Sequence, residues 1–437
     1  MNPNDPDQSN LVQPQQQPAS PEQKPKKLTK KTWIIIAIAV VVAIVAGVMM
    51  FGSSGDEQNG QQSHDNLYYD REGFDRSDLS SAIGDPAALI STVDQKAVAY
   101  KGTAVVQSCN LLSVEEIRGM GLQLFPNSLT AFERTYFDGQ SQAGLDTFPT
   151  SLASAQDSNS CGYPINEPRG GIDIDVYQPA YNQTSAIDYT LDRGGYTRQG
   201  SQAGYPVYHR TYEGSNYYLL LDGNSAVQIY VNDISDKQLI QKILAAVAKN
   251  YKNEKSSPRG PTQFAYDSPL FGKSYLNGCS ITKAEDVKEL FGTTAKPLIT
   301  ERVATAVGVI IYSLQDGERG FNNIEHDCVR PAISNGFSNR KSFTAETTSY
   351  LDAAGAELGM ASGRQLDSKV TEISASIGDD VYFSHTTGNN PEMVIRKGRF
   401  IINLSMFDQT KEFTDQQMIQ ALTPIAQKVV SRIQDAE

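Results

Sequence analysis

The chain of 437 residues carries 50 acidic against 38 basic residues, for a net charge of −12, with only four cysteines and four histidines. Its basic cluster, Lys24, Lys26, Lys27, Lys30 and Lys31, sits near the start, and the acidic balance of the rest argues against nucleic acid or anionic headgroups as ligands. The length suffices for two or three domains of ordinary size.

Residues 1–32, rich in Pro, Gln and Asn with almost nothing apolar, bury too little surface to fold and read as a disordered cytoplasmic tail, or else as a docking peptide for a cytoplasmic partner. Residues 33–51, "WIIIAIAVVVAIVAGVMMF", are uncharged. At about 1.5 Å per residue they span roughly the 30 Å core of a bilayer, which predicts a transmembrane helix. Lysines precede the span and Asp56, Glu57 and Asp65 follow it, so the positive-inside bias puts the N-terminus in the cytoplasm and the bulk outside. A cleaved signal fits less well, because a long polar tail precedes the run and no small-x-small site follows it. No cysteine lies beside it to take a lipid. Residues 52–84, opening "GSSGDEQNGQQSHDN", read as an extracytoplasmic tether.

Two segments follow, 85–252 and 264–437, separated at 253–263 by a charged, Pro- and Gly-bearing stretch that reads as a linker. They match each other at three places in the same order, as an internal duplication does. The first match is "CNLLSVEEIR" from Cys109 against "CSITKAEDVK" from Cys279; the second is the later cysteine, Cys161 and Cys328. In each opener a helix is predicted soon after the cysteine, from capping boxes formed by Ser113 with Glu116 and by Thr282 with Glu285.

The third match is the end of each segment. Alternation through Ile229 and Val231, and through Leu404 and Met406, predicts a strand with one buried face. Capping-box openings, Ser235 with Gln238 and Thr414 with Gln417, then predict a helix with apolar positions Leu239, Ile240, Ile243, Leu244 and Val247, or Met418, Ile419, Leu422, Ile425 and Val429. Pro424 predicts a kink in the second. Between opener and close the copies read as strands: "GIDIDVYQ", "YPVYHRTY" and "SNYYLLLDGNSAVQIYV", with a hairpin at Asp222-Gly223, in one, and "VGVIIYSL", "KVTEISASI", "DVYFSH" and "MVIRKGRFIINLSMF" in the other. The fold class is therefore α+β: two tandem duplicated domains, each an antiparallel sheet covered by helices.

The matching cysteine positions suggest the disulfides Cys109–Cys161 and Cys279–Cys328; two other pairings exist formally, but this one lets each copy fold on its own. Loops of about 50 residues closed this way contribute roughly 4 kcal/mol each on a chain-entropy estimate. A metal or redox site is the rival reading. The spacing lacks a Cys-x-x-Cys element and the histidines are scattered, so no metal or other cofactor is expected.

A cysteine followed by Leu-Leu or Leu-Thr, a Ser/Thr cap and a glutamate, with one more cysteine some 40 to 60 residues on, resembles the openings of a group of bacterial extracytoplasmic lipoproteins and kinase sensor domains. The resemblance covers about a dozen residues per copy. It implies a compact α+β fold and a ligand-binding or interaction role, and it transfers no site residue. The transmembrane span in place of a lipid anchor departs from that group.

No nucleophile elbow, phosphate loop, zinc-protease motif or dinucleotide fingerprint is present. Asp173 and Asp175 lie two apart on one strand face and read as solvent-facing, while Asp379 and Asp380 follow Gly378 and read as a turn. "EHDC", Glu325 to Cys328, sets His326 between acids, but with no nucleophile to activate it reads as a surface turn before a disulfide. Most of the 21 tyrosines fall in the first copy. Tyr205, Tyr208, Tyr212, Tyr217 and Tyr218 are either an ordinary half-buried sheet or a binding surface for an extracellular protein or glycan.

The sequence thus reads as a single-pass, non-enzymatic binding or sensor protein of a bacterial cell envelope, with a wall-acting enzyme or a structural assembly component as alternatives. Protease shaving of intact cells is expected to cut within residues 66–437 and to spare residues 1–32; protection of the large segment would reverse the orientation.

Overall fold

In the described part of the chain, the alternation of apolar and polar residues produces strands, most of which assemble into one long antiparallel sheet; a three-stranded and a two-stranded sheet accompany it. The computed structural model describes residues 69–70 and most of 96–434; residues 1–68, 71–95, 101–102, 125–130, 139–158, 168–169, 179–190, 192–193, 224, 264–274, 307–311, 315–316, 321–322, 334–338, 351, 368, 386–390 and 435–437 lie outside the description. The predicted span at 33–51, with the tail before it and most of the tether after it, is among these. Of the described residues, no helix is long and apolar enough to cross a membrane.

The first segment supplies β1 (Ala131–Phe137), β2 (Asn159–Glu167), β3 (Gly170–Tyr177), β4 (Thr197–Gln202), β5 (Tyr205–Tyr212), β6 (Ser215–Asp222) and β7 (Ser225–Asn232). The second supplies β8 (Leu298–Ala306), β9 (Asn323–Pro331), β10 (Lys341–Tyr350), β11 (Val370–Glu372), β12 (Asp380–Ser384), β13 (Glu392–Lys397) and β14 (Phe400–Asp408). Across the sheet the order is β11-β12-β13-β14-β10-β9-β8-β1-β2-β3-β7-β6-β5-β4, so each half reads outward from the centre in the same sequence. The halves meet where β1 pairs antiparallel with β8, and there Arg134 lies opposite Glu301. Arg134 also lies opposite Cys161, and Glu301 opposite Cys328, so the two residues hold the same place in their copies and a pseudo-two-fold axis passes between them.

The α-helices among the described residues are α1 (Val114–Gly119), α2 (Lys237–Ser256), α3 (Gly278–Ile281), α4 (Ala284–Phe291), α5 (Ala353–Leu366) and α6 (Asp415–Gln434). In the first half, Ile172, Ile174, Val176, Val227, Ile229 and Val231 bury one sheet face with Ile240, Ile243, Leu244 and Val247 of α2. The second half repeats this with Phe343, Ala345, Ile402, Leu404 and Met406 under Leu422, Ile425 and Val429 of α6. Each of these side chains other than Ala345 contributes about 1.5–3 kcal/mol on burial. The first core also takes in Val303 and Ile324 from the second half, so apolar packing continues across the junction.

Both disulfides join the predicted partners, Cys109–Cys161 over 52 residues and Cys279–Cys328 over 49, each with Cα atoms 5.1 Å apart. The α+β class and the antiparallel pairing agree with the sequence reading. The hairpins after Asp222 and Lys397 each turn on a glycine at φ 56°, Gly223 and Gly398, a conformation that disfavours other residues.

Several local expectations are corrected. Ser113 and Glu116 form their capping box, but in the second opener the cap is Lys283, whose amide donates to Asp286 Oδ2 at 2.7 Å. Thr282 is occupied instead, donating from Oγ1 to the Gly278 carbonyl at 3.0 Å. Helix α2 is capped by Asp236, one residue after Ser235, with Oδ1 accepting from the amides of Gln238 and Leu239. Thr414 and Gln417 cap α6 as expected, and that helix runs through Pro424. Residues 253–256 form the last turn of α2, while Gly260, Pro261 and Thr262 are buried, so the stretch read as a linker packs against the fold. "EHDC" is mid-strand: in β9 the even positions are buried and the odd ones half-buried from Glu325 on, which places His326 in the interior.

Helix α5 was not legible from apolar periodicity. It lies on the other face of the sheet, where Ala356 and Met360 pack with Tyr350, Tyr382, Val394 and Ile401. Its glycines make the approach: a Cβ on Gly359 would stand 2.4 Å from Tyr350 Oη, and one on Gly363 2.4 Å from Tyr382 Oη.

Arg134 and Glu301 are 2% and 1% exposed. Removing one partner of such a pair leaves a buried charge, so Arg134→Met is expected to cost about 3–5 kcal/mol in urea unfolding. Arg134→Met with Glu301→Met together should cost less than the sum of the two single changes; strict additivity would show that the pair is not coupled.

Candidate functional site

Two groups of polar side chains compete for a functional role, one inside the helix-covered face and one on the opposite face. The first is built around Glu301. Its Oε2 accepts from Arg134 Nε at 2.7 Å and also from Nη2, and its Oε1 accepts from His326 Nε2 at 2.6 Å and from Asn277 Nδ2 at 3.2 Å. His326 Nδ1 accepts the Gly278 amide at 3.1 Å, which assigns the ring proton to Nε2 and aims it at Glu301. Arg134 reaches the Thr262 carbonyl and Oγ1 with Nη1, and stacks 4.2 Å from the Tyr136 ring. Burial alone would raise the Glu301 carboxyl, but Arg134 and His326 hold it down to about 2.

His326 is 0% exposed, and the Glu301 oxygens are occupied by protein donors. Such a network fixes structure and offers no room for a reactant. The equivalent places in the first copy support this. Asn159, two residues before Cys161 as His326 is before Cys328, accepts the Ser108 amide at 3.0 Å in the way His326 accepts that of Gly278. Tyr163 donates to the Cys109 carbonyl at 3.4 Å, and Arg330 donates to the Cys279 carbonyl at 3.1 Å.

The second group runs in a row across the strands on the other face. The register carries it from Arg210 through Tyr217, Tyr230 and Asp173 to Gly162, next along its strand to Cys161 as Glu133 is to Arg134, which faces Cys161, and from Glu133 across the junction through Arg302, Asp327 and Glu346 to Asn403. Adjacent strands lie about 4.8 Å apart, so neighbouring members interact. At the first end Arg210 packs between Tyr196 and Tyr217, 4.9 and 4.6 Å from the rings, and Tyr217 lies 4.7 Å from Tyr230. At the middle Glu133 and Arg302 are exposed, and Arg302 Nη1 reaches Asp327 Oδ2 at 3.3 Å.

This face is over-supplied with acid. Burial, then Asp327, Glu325 and Glu392, push the Glu346 carboxyl up to about 8. Burial, then Asp367, push Glu392 up to about 7, and burial with Glu133 pushes Asp173 up to about 6. Glu325 and Asp327 are raised as well, chiefly by burial. Asp173 also occupies the space that a side chain at position 162 would need: a Cβ on Gly162 would stand 2.7 Å from Asp173 Oδ1.

The five singled-out tyrosines do not form one surface. Tyr218 is buried and stacks 4.6 Å from His209, and Tyr205 packs edge-on to Tyr251 of α2 at 5.3 Å, both on the helix-covered side. Tyr208, Tyr212 and Tyr217 point the other way, with Tyr212 the most open at 56% exposure. Asp173 and Asp175 share the second face, as their spacing implies. Asp379 closes a turn by accepting the Gly398 amide at 2.6 Å, whereas Asp380 begins β12 and clamps Arg364 of α5 through two bonds of 2.8 and 2.7 Å.

Sequence reasoning missed Glu133, Arg134, Glu301, Arg302 and Glu346. The available signal was "FERT" against "TERV", two Glu-Arg steps that an antiparallel register sets in opposition. Among the described residues, no three His, Cys, Asp or Glu side chains are grouped to hold a metal ion. Comparison of the chain with protein-family models, with curated proteins and with solved structures finds no match.

A carboxyl held above its ordinary value in the folded state binds protons that the unfolded chain gives up, so its contribution is full below the ordinary carboxylate pKa and is lost as pH rises through the folded value. Glu301 acts oppositely, but its window lies below pH 4.5. The melting midpoint is therefore expected to fall between pH 5 and pH 8. Glu346→Gln should raise the pH 8 midpoint by about 2–4 °C, roughly one kcal/mol, and flatten the profile. An unchanged slope would place the titration elsewhere.

Proposed function

We propose that the chain is a membrane-anchored binding protein displayed outside the cytoplasmic membrane of a bacterial cell, taking its ligand on the sheet face that carries the row from Arg210 to Asn403. The observation behind this reading is the row itself: exposed Glu133 and Arg302 at the junction, aromatic rings to one side and uncompensated acids to the other. Rings and charges in one line suit recognition of an extended ligand. The lysine bias before residues 33–51 and two disulfides fit an oxidising compartment. In this reading the tail is cytoplasmic, the span is the anchor, and the two copies form the receptor.

The test is site-specific photocrosslinking of the full chain in intact cells. A crosslinker replacing Glu133 is expected to give discrete adducts, while one replacing Lys242, exposed on α2, gives none. Equal labelling from both positions, or none from Glu133, would remove this face as the binding surface.

A further inference from the structure

The excess acid lies on two neighbouring strands. On β9, Glu325 and Asp327 project from one face; across from Asp327 on β10 is Glu346, and next to Glu346 on β14 is Asn403. Among the described residues the cation in this group is Arg302, already engaged with Asp327. Acceptors without donors accumulate here. Asn403 Oδ1 is buried with no hydrogen-bond partner.

Asn323 is a second and independent observation. It projects from the same face of β9, one step along the strand from Glu325, is 0% exposed, and has no partner for either Oδ1 or Nδ2. Its neighbours across the strands are Ala306 and Tyr350, and those of Glu325 are Ala304 and Thr348, so the ground around Glu325 is low on the β8 side. A buried amide with nothing to bond is a cost to the fold that a ligand would remove.

A metal ion does not fit, because the carboxylates stand one strand or one two-residue step apart and no three converge. Groups that donate several N–H bonds and carry positive charge at that spacing do fit. We propose that β9 and β10 bind two ammonium groups of one ligand, the first between Asp327 and Glu346 and the second at Glu325 beside Asn323. The two places are about 6.7 Å apart along the strand. That is roughly the separation of the nitrogens in an extended four-carbon diamine, and of alternate lysine side chains on an extended peptide. The inference rests on the binding reading above and narrows its ligand to spaced primary amines.

Calorimetric titration of the full chain in detergent micelles at pH 8 tests it, with putrescine, tetralysine, butylamine and magnesium chloride as probes. Putrescine or tetralysine is expected to bind saturably and at least tenfold more tightly than butylamine or magnesium. The tighter of the two tells a free diamine from a basic peptide. Glu325→Gln and Glu346→Gln should each weaken binding about tenfold without lowering the melting midpoint, since each removes a repulsive charge, and Asn323→Leu should weaken it too. No saturable binding by either probe, equal affinity for butylamine, or undiminished affinity in Glu346→Gln overturns the proposal. If the Glu133 crosslinker captures a ligand while both probes fail, the binding face stands and the ammonium chemistry falls.

Discussion

The pairing of Arg134 with Glu301 is the constraint on which the architecture rests. Two halves with the same outward strand order meet along β1 and β8, and the residues at the equivalent place in each face one another there. Identical copies would set like against like there, and two buried arginines or two buried glutamates repel. Arg in one half and Glu in the other make that position an attraction, with Nε and Nη2 of the guanidinium both donating to Glu301 Oε2. A buried ion pair is weak evidence for stability, since desolvation consumes much of the Coulombic gain. Its value here is specificity: a slip of one strand by one residue would turn its member of the pair to the other face and leave the partner buried and unpaired.

Around that axis the same mechanical tasks are carried out by different residues. Each opener must be bonded to the strand that bears the second cysteine, and the bond is Asn159 to Ser108 in one copy and His326 to Gly278 in the other. Each opener must also hold the closing helix. Asn250 of α2 donates to Glu116 at 2.9 Å and to the Leu111 carbonyl, and Arg432 of α6 donates to Asp286 and to the Ile281 carbonyl. In both cases one side chain spans an acid and a main-chain oxygen two residues after the cysteine. The backbone requires a donor and an acceptor at fixed places, and several side chains satisfy it. This explains why a histidine flanked by acids serves structure here.

That substitution of parts also explains what was legible in the sequence. Disulfide partners, closing helices and their preceding strands were readable, because cysteine position, capping chemistry and apolar period all report local geometry. Strands β1 and β8 were not: Glu133 and Arg134, like Glu301 and Arg302, interrupt the apolar alternation, and only the partner strand makes sense of them. Helix α5 was hidden for a different reason. Glycine every four residues reads as weak helix, and its purpose is visible only beside the tyrosines that fill the space. The tyrosine cluster misled by proximity in sequence, since period two sends neighbours to opposite faces.

The two faces of the sheet therefore carry different kinds of charge. Inside the helix-covered face, Arg134 is matched to Glu301 and the glutamate is lowered to about 2. On the other face, Glu346 and Glu392 are raised to about 8 and 7. Both faces are built on the same strands in the same register, so geometry does not force the difference. A fold that needed only stability would tolerate Gln or Thr at Glu346 and Glu325, as it already has Thr344 and Thr348 on either side of Glu346 in the same row of β10. These carboxylates, next to a buried amide without a bond, are the groups on which the proposed ammonium site is built. A cation held against them would recover what the sheet gives up by keeping them there.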